Sequence, residues 1–127
     1  MNLTYGRTAP ASGQADSMVI FVHGYGANGA DLLDLATPLA THLPNTVFIA
    51  PDAPEPCRNN PMGFQWFAIP RLDGSSEEEM RDGFARAGDI LQDFIDARLA
   101  EEGVPPERLV LVGFSQGSMM SLHVAPR

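Results

Sequence analysis

Arg108-Leu109-Val110-Leu111-Val112 runs straight into Gly113-Phe114-Ser115-Gln116-Gly117, and Ser118–Val124 follows without a helix breaker. The first segment is apolar and β-branched after its arginine, which suits a strand buried on both faces of a parallel sheet. The last segment predicts the opening turns of a helix. A G-x-S-x-G between such a strand and such a helix requires a turn so sharp that only small residues fit on either side of the serine. The strain lifts the Ser115 hydroxyl clear of the strand end, with the helix N-terminus beneath it. The five-residue pattern also arises by chance, so a tight glycine turn with an incidental serine stays open as the alternative.

Working outward, two more continuous apolar runs, Met18–Val22 and Thr46–Ala50, predict buried strands. Leu3–Arg7 predicts a short edge strand. Leu32, Leu35, Leu39 and Leu43 recur at helical spacing over Asp31–Leu43, where Pro38 bends or restarts the helix. Residues Ala53–Ser76 carry Pro54, Pro56, Pro61, Pro70, Gly63 and Gly74 and predict a long irregular stretch. Phe64, Trp66 and Phe67 inside it argue for a packed loop. Ser75 or Ser76 then caps a helix whose first turn holds Glu77, Glu78 and Glu79, favourable at its positive end. Its apolar face runs through Met80, Phe84, Ala87, Leu91, Phe94, Ile95 and Leu99 until Gly103 and Pro105-Pro106 end it. Strands alternating with helices predict an α/β domain over residues 1–127, with a mainly parallel sheet and helices on both faces.

Sixteen acidic against eight basic residues give a net charge of −8, so a nucleic-acid-binding face is not expected. The acids concentrate in residues 73–107, as the solvated face of the long helix and its flanks. No apolar run reaches the roughly 18–20 residues of a membrane-spanning helix. No signal peptide is evident at the start, so the expected location is cytoplasmic. Cys57 is the single cysteine, in a Pro-rich loop with no histidine at hand, and is expected to be a plain thiol. Three scattered histidines give no metal-ligand spacing, and neither metal nor cofactor is expected.

His23-Gly24-Tyr25-Gly26-Ala27-Asn28-Gly29 closes the first buried run. Hydrolases with a serine elbow draw one oxyanion donor from the residue after the nucleophile and another from such an earlier loop. Those donors would be the backbone N–H groups of Gln116 and Tyr25. His23 stands too early in the chain to be the general base and is expected to bond the loop. The same turn also matches G-x-G-x-x-G through Gly24, Gly26 and Gly29. With Asp52 at the end of the next strand, a nucleotide-binding domain is the competing reading, although it leaves the serine elbow without a purpose. A non-catalytic hydrolase-like binding module is a third.

Taken together, VIFVHGYGANGADL (residues 19–32), FIAPDAPEPC (48–57), GFQWF (63–67) and LVGFSQGSMM (111–120) resemble the phospholipase/carboxylesterase family of α/β-hydrolases, relatives of the acyl-protein thioesterases. The resemblance implies a serine carboxylesterase acting on carboxylic esters or thioesters. Ser115 would be the nucleophile, Tyr25 and Gln116 the oxyanion donors, and Trp66 and Phe67 part of the acyl-pocket wall.

One departure from the family pattern is informative. Such triads run Ser, then Asp or Glu, then His. Twelve residues follow Ser115, with no acid among them. Their one histidine, His123, lies eight positions on, about 12 Å along a helix axis. That is beyond the roughly 3 Å contact a base makes with a serine oxygen. His123 is therefore expected on a helix face, and His42 at a surface or helix end. The chain is expected to be the N-terminal part of a hydrolase domain, truncated or nicked after the helix that follows the elbow. Alone it would be inactive, needing a C-terminal fragment of the same protein to supply Asp and His. An unpaired edge on the elbow strand, and reduced packing at Met119, Met120, Leu122 and Val124, are expected for the same reason.

Overall fold

The computed structural model describes residues 3–125. Four strands form the main sheet: β1 (Tyr5–Thr8), β2 (Ser17–Val22), β3 (Thr46–Pro51) and, last in the chain, β6 (Leu109–Gly113). Their spatial order is β1-β3-β2-β6. The three continuous apolar runs are the parallel part, with Ile20 beside Ile49 on one side and beside Leu111 on the other. β1 joins antiparallel at the far edge.

Side chains of β2 alternate between two cores, as the pleat requires. Met18, Ile20 and Val22 face one way and join Val47, Ile49, Leu91, Phe94, Ile95 and Leu99. Val19 and Phe21 face the other way, with Phe48, Ala50 and Ala36. Helix α4 (Glu77–Glu102) covers the first face. It opens on a capping box between Ser76 and Glu79 and ends at Gly103 in the left-handed conformation, φ 68°. The second face is covered by α1 (Gly29–Leu33) and α2 (Ala36–Ala40), with Leu32 and Leu33 packed against it. The helix expected over Asp31–Leu43 is thus two short ones. Pro38 falls in the first turn of α2, where its missing N–H would have had no helical partner.

The stretch Ala53–Ser76 is more ordered than expected. Glu55–Cys57 (β4) and Asn60–Gln65 (β5) pair as an antiparallel hairpin with an irregularity between Pro56 and Cys57, followed by the short helix α3 (Pro70–Asp73). Prolines are tolerated because neither strand lies inside a larger sheet. A two-stranded hairpin is marginal by itself. This one is held by the 23–29 loop, through Gly26 N–H to the Phe64 carbonyl and Phe64 N–H to the Ala27 carbonyl, both 2.9 Å. That support comes from more than 30 residues away in sequence and has no local signature.

β6 lies at the sheet edge, as expected, and Val110 is 56% exposed. It leads into α5 (Gln116–Val124). Met119 and Leu122 stand open to solvent, but Met120 and Val124 are buried in the first core, contrary to expectation, because α5 turns that face onto the sheet and α4. The helix starts in close contact with β2: a Cβ on Gly117 would overlap the carbonyl of Val22 and lie 2.6 Å from that of His23.

Gly103 has open space around it and is needed only for its positive φ. Gly103→Ala should therefore cost about 1–2 kcal/mol, whereas Gly117→Ala, which drives a methyl into backbone, should cost about 3 kcal/mol or more. Urea unfolding midpoints of the two variants give the comparison. Equal losses would contradict the close approach of α5 to β2.

Candidate active site

Ser115 sits between the end of β6 and the start of α5 with φ 55° and ψ −118°, alone among the described non-glycine residues in having a positive φ. Such a conformation costs on the order of 1–3 kcal/mol and persists only where the surroundings enforce it. Here the glycines on either side do so. A Cβ on Gly113 would lie 2.6 Å from the Gly117 carbonyl, and Gly117 is pressed onto β2. The crossing of strand and helix leaves room for nothing larger, and the serine side chain is turned outward, exposed to solvent.

Gly24 of the 23–29 loop lies against it. A Cβ on Gly24 would lie 3.1 Å from Ser115 Cβ and 3.7 Å from Ser115 Oγ. Within the loop Ala27 N–H donates to the Gly24 carbonyl at 3.2 Å, while Gly26 N–H donates to the Phe64 carbonyl of the hairpin, and the Tyr25 N–H takes part in neither bond. In the elbow, the N–H groups of Gly117 and Ser118 donate to the carbonyls of Phe114 and Ser115. Gln116 N–H, at the first helical position, belongs to the donors that a helix start leaves without an intrahelical partner.

His23 is fully buried beneath the loop. Its Nδ1 lies 2.7 Å from the Gly24 carbonyl oxygen and its Nε2 accepts from Ala53 N–H at 2.9 Å. Both bonds require the neutral ring with the proton on Nδ1. Burial pushes its pKa below the ordinary value, against the smaller opposing effect of the Gly24 carbonyl. The consequence reaches the next peptide. In a planar trans peptide the C=O and N–H point in opposite directions. Holding the Gly24 oxygen toward the core therefore turns the Tyr25 N–H outward.

The Gln116 side chain is buried and fully used. Its Oε1 accepts from Trp66 N–H and its Nε2 donates to the Phe67 carbonyl, both at 2.8 Å. Trp66 is buried as well, and its indole N–H donates to the His23 carbonyl at 2.9 Å. Elbow, hairpin and loop are thus locked together by three residues. Phe67, also buried, stacks edge-on to Phe84 and lines a shallow apolar recess with Met80, Arg81 and Met119, the last one turn beyond Ser115. His123 also packs against Phe84, at 4.5 Å between centroids, and His42 is exposed beyond α2.

Asp73 went unnoticed in the sequence. It ends α3, and its carboxylate accepts from Tyr25 Oη and from Ile69 N–H, both at 3.0 Å, and from Ser75 N–H at 2.9 Å. Burial opposes its ionisation, yet the Ser75 side chain and these donors prevail and bring its pKa down to about 2. Tyr25 is pushed above its usual value, first by burial and then by the neighbouring Cys57 thiol and Asp73. Cys57 is itself buried and free. No local pattern marks Asp73, because its partner lies 48 residues away.

The geometry is unfavourable to nucleotide binding. Gly29 N–H, at the helix start where a phosphate would dock, is bonded at 2.9 Å to Asp52, the carboxylate expected to hold a ribose. A Cβ on Gly29 would overlap the Ala50 carbonyl, so this glycine serves packing. α1 is also only five residues long.

A mainly parallel sheet with helices on both faces and a strained serine at the strand-to-helix turn places the chain among the α/β-hydrolases. The phospholipase/carboxylesterase family model matches residues 4–126, and the chain belongs to that family. It is 36% identical over 109 residues to acyl-protein thioesterase 1 of Cryptococcus neoformans, covering 82% of this chain and 45% of the relative. With acyl-protein thioesterase 1 of Gibberella zeae it shares 33% identity over 121 residues, 89% of this chain and 52% of the relative. Among solved structures it is similar to esterase PE8, with a TM-score of 0.89, 36% identity and coverage of 98% of this chain and 57% of that one. Acyl-protein thioesterase 2 of Zea mays shares the fold at a TM-score of 0.63 and 24% identity, covering 95% of this chain and 50% of that one. The chain thus spans about half the length of the curated relatives it matches. No helix among the described residues is long and apolar enough to cross a membrane.

The folded His23 takes up a proton less readily than an unfolded histidine, so below about pH 6.5 the unfolded chain binds more protons and the fold loses stability as pH falls. The Asp73 contribution is lost only lower, from the ordinary carboxylate range down toward about 2. Imidazole ¹⁵N–¹H spectra should show His23 as the Nδ1–H tautomer at pH 6.5, with Nε2 unprotonated. A charged ring at that pH would contradict the assignment.

Proposed function

We propose that this chain carries the nucleophile half of a serine carboxylesterase that hydrolyses carboxylic esters or thioesters through an acyl-enzyme on Ser115. The observation that carries the proposal is the strained, exposed serine with φ 55° beneath the Gly24 turn, in a chain of this family. A general base removes the Ser115 proton as its oxygen attacks the carbonyl carbon. Negative charge then collects on the former carbonyl oxygen, facing the N–H groups of Tyr25 and Gln116. Collapse expels the alcohol or thiol, which takes a proton from the base, and water repeats the sequence to free the acid. Each oxyanion donor contributes roughly 3–4 kcal/mol to the transition state.

The base and its acid partner come from a segment of the same protein beyond this chain, and the chain alone is inactive. Two facts support this. His23 is tied to Gly24 and Ala53 with its tautomer fixed, and His123 is packed on Phe84. The relatives extend to about twice the length matched here. Phe67 contributes to the wall of an acyl site through the recess it shares with Met80, Phe84 and Met119. Trp66 supports that wall from beneath, by its bond to the loop.

The complete protein should form a covalent adduct on Ser115 with a fluorophosphonate and turn over a p-nitrophenyl ester, and Ser115→Ala should abolish both. Ester turnover by Ser115→Ala above a few per cent would overturn the assignment of the nucleophile. Absence of any adduct on the intact protein would instead favour a hydrolase-like binding module.

A further inference from the structure

We infer that Asp73 is a positioning residue of the oxyanion hole: its carboxylate, through the Tyr25 hydroxyl, holds the 24–25 peptide so that the Tyr25 N–H stays aimed at the oxyanion. The inference rests on the esterase reading of the site and extends it to a residue with no contact to the reacting atoms. Gly24 lies against the Phe114 carbonyl and Ser115 Cβ and has no side chain of its own with which to anchor the 24–25 peptide. His23 Nδ1, at 2.7 Å, and Ala27 N–H, at 3.2 Å, hold the carbonyl end of this peptide. The nitrogen end belongs to Tyr25, whose hydroxyl donates to Asp73 at 3.0 Å. Restraint at the carbonyl and, through the side chain, at Tyr25 limits rotation of this peptide.

Asp73 is in turn firmly anchored. The N–H groups of Ile69 and Ser75 converge on the same carboxylate. Gly74, at φ 74°, turns the chain so that Ser75 can donate. Helix α3 is tied to the hairpin by Asn59 Nδ2 donating to the Leu72 carbonyl, and the hairpin is tied back to the loop by Asn60 Nδ2 donating to the Gly26 carbonyl at 2.9 Å. Tyr25 is therefore one side of a closed frame formed by loop, hairpin and α3. Its hydroxyl proton is engaged by Asp73, so it serves by position and not by proton transfer.

The frame is tested in the complete protein with Tyr25→Phe, Asp73→Asn and the pair together. Tyr25→Phe removes one oxygen from a half-buried ring and leaves the backbone donor in place. Misaimed rather than deleted, that donor should lower kcat for a p-nitrophenyl ester about tenfold, less than the loss of a whole donor, with KM within about twofold. The rate of Ser115 phosphonylation should fall in parallel, since it builds charge on the same oxygen. Asp73→Asn should produce a similar loss, and the double variant no more than either alone. A wild-type kcat for Tyr25→Phe, a rise in KM at constant kcat, or additive losses in the double variant would each overturn the inference. Tyr25→Phe decides alone if Asp73→Asn does not fold. A wild-type protein that neither reacts with the phosphonate nor turns over ester would overturn the esterase reading, and this inference with it. An active, labelled wild type with an unaffected Tyr25→Phe would overturn the inference alone.

Discussion

The structure is organised around one steric constraint, the contact between the start of α5 and the backbone of β2. Gly117 lies so close to the Val22 and His23 carbonyls that no side chain fits, and Gly113 faces the Gly117 carbonyl under the same restriction. With both neighbours fixed, Ser115 has no room for an ordinary backbone conformation and is driven to φ 55°. The strain of on the order of 1–3 kcal/mol is small against what α5 gains by burying Met120 and Val124 in the core, since each fully buried apolar side chain contributes about 1.5–3 kcal/mol. Exposure of the hydroxyl is thus a by-product of packing the helix onto the sheet.

A second constraint is polar. Gln116, Trp66 and His23 are all buried, and each makes a hydrogen bond to a segment distant in sequence. Buried amides and imidazoles are costly when unpaired, so the network tolerates few alternatives. The elbow, the 23–29 loop and the hairpin are held in one relative arrangement before any substrate arrives. Such preorganisation is what electrostatic stabilisation of a transient oxyanion requires.

Much of this was legible in the sequence because it depends on local pattern. The three continuous apolar runs are the three parallel strands, and the apolar spacing with Ser76, Glu79 and Gly103 delimits α4. The elbow glycines announce themselves by spacing alone. The hairpin did not, because Pro56, Pro61 and Gly63 look like breakers until the 23–29 loop supplies their partners. Met120 and Val124 were expected to lose packing, but α5 turns them inward while Met119 and Leu122 face out.

The sequence by itself determined the strand–turn–helix around Ser115, the family and the kind of chemistry to expect. Glycine spacing and apolar periodicity encode steric limits that act over a few residues. Only the tertiary structure decided that Trp66 supports the loop from within, that Asp52 is bound to Gly29, and that Asp73 reaches Tyr25. Those are hydrogen bonds between groups 23 to 48 residues apart. A short polar side chain carries no local mark of a partner so distant, and burial around it exists only once the elements have packed.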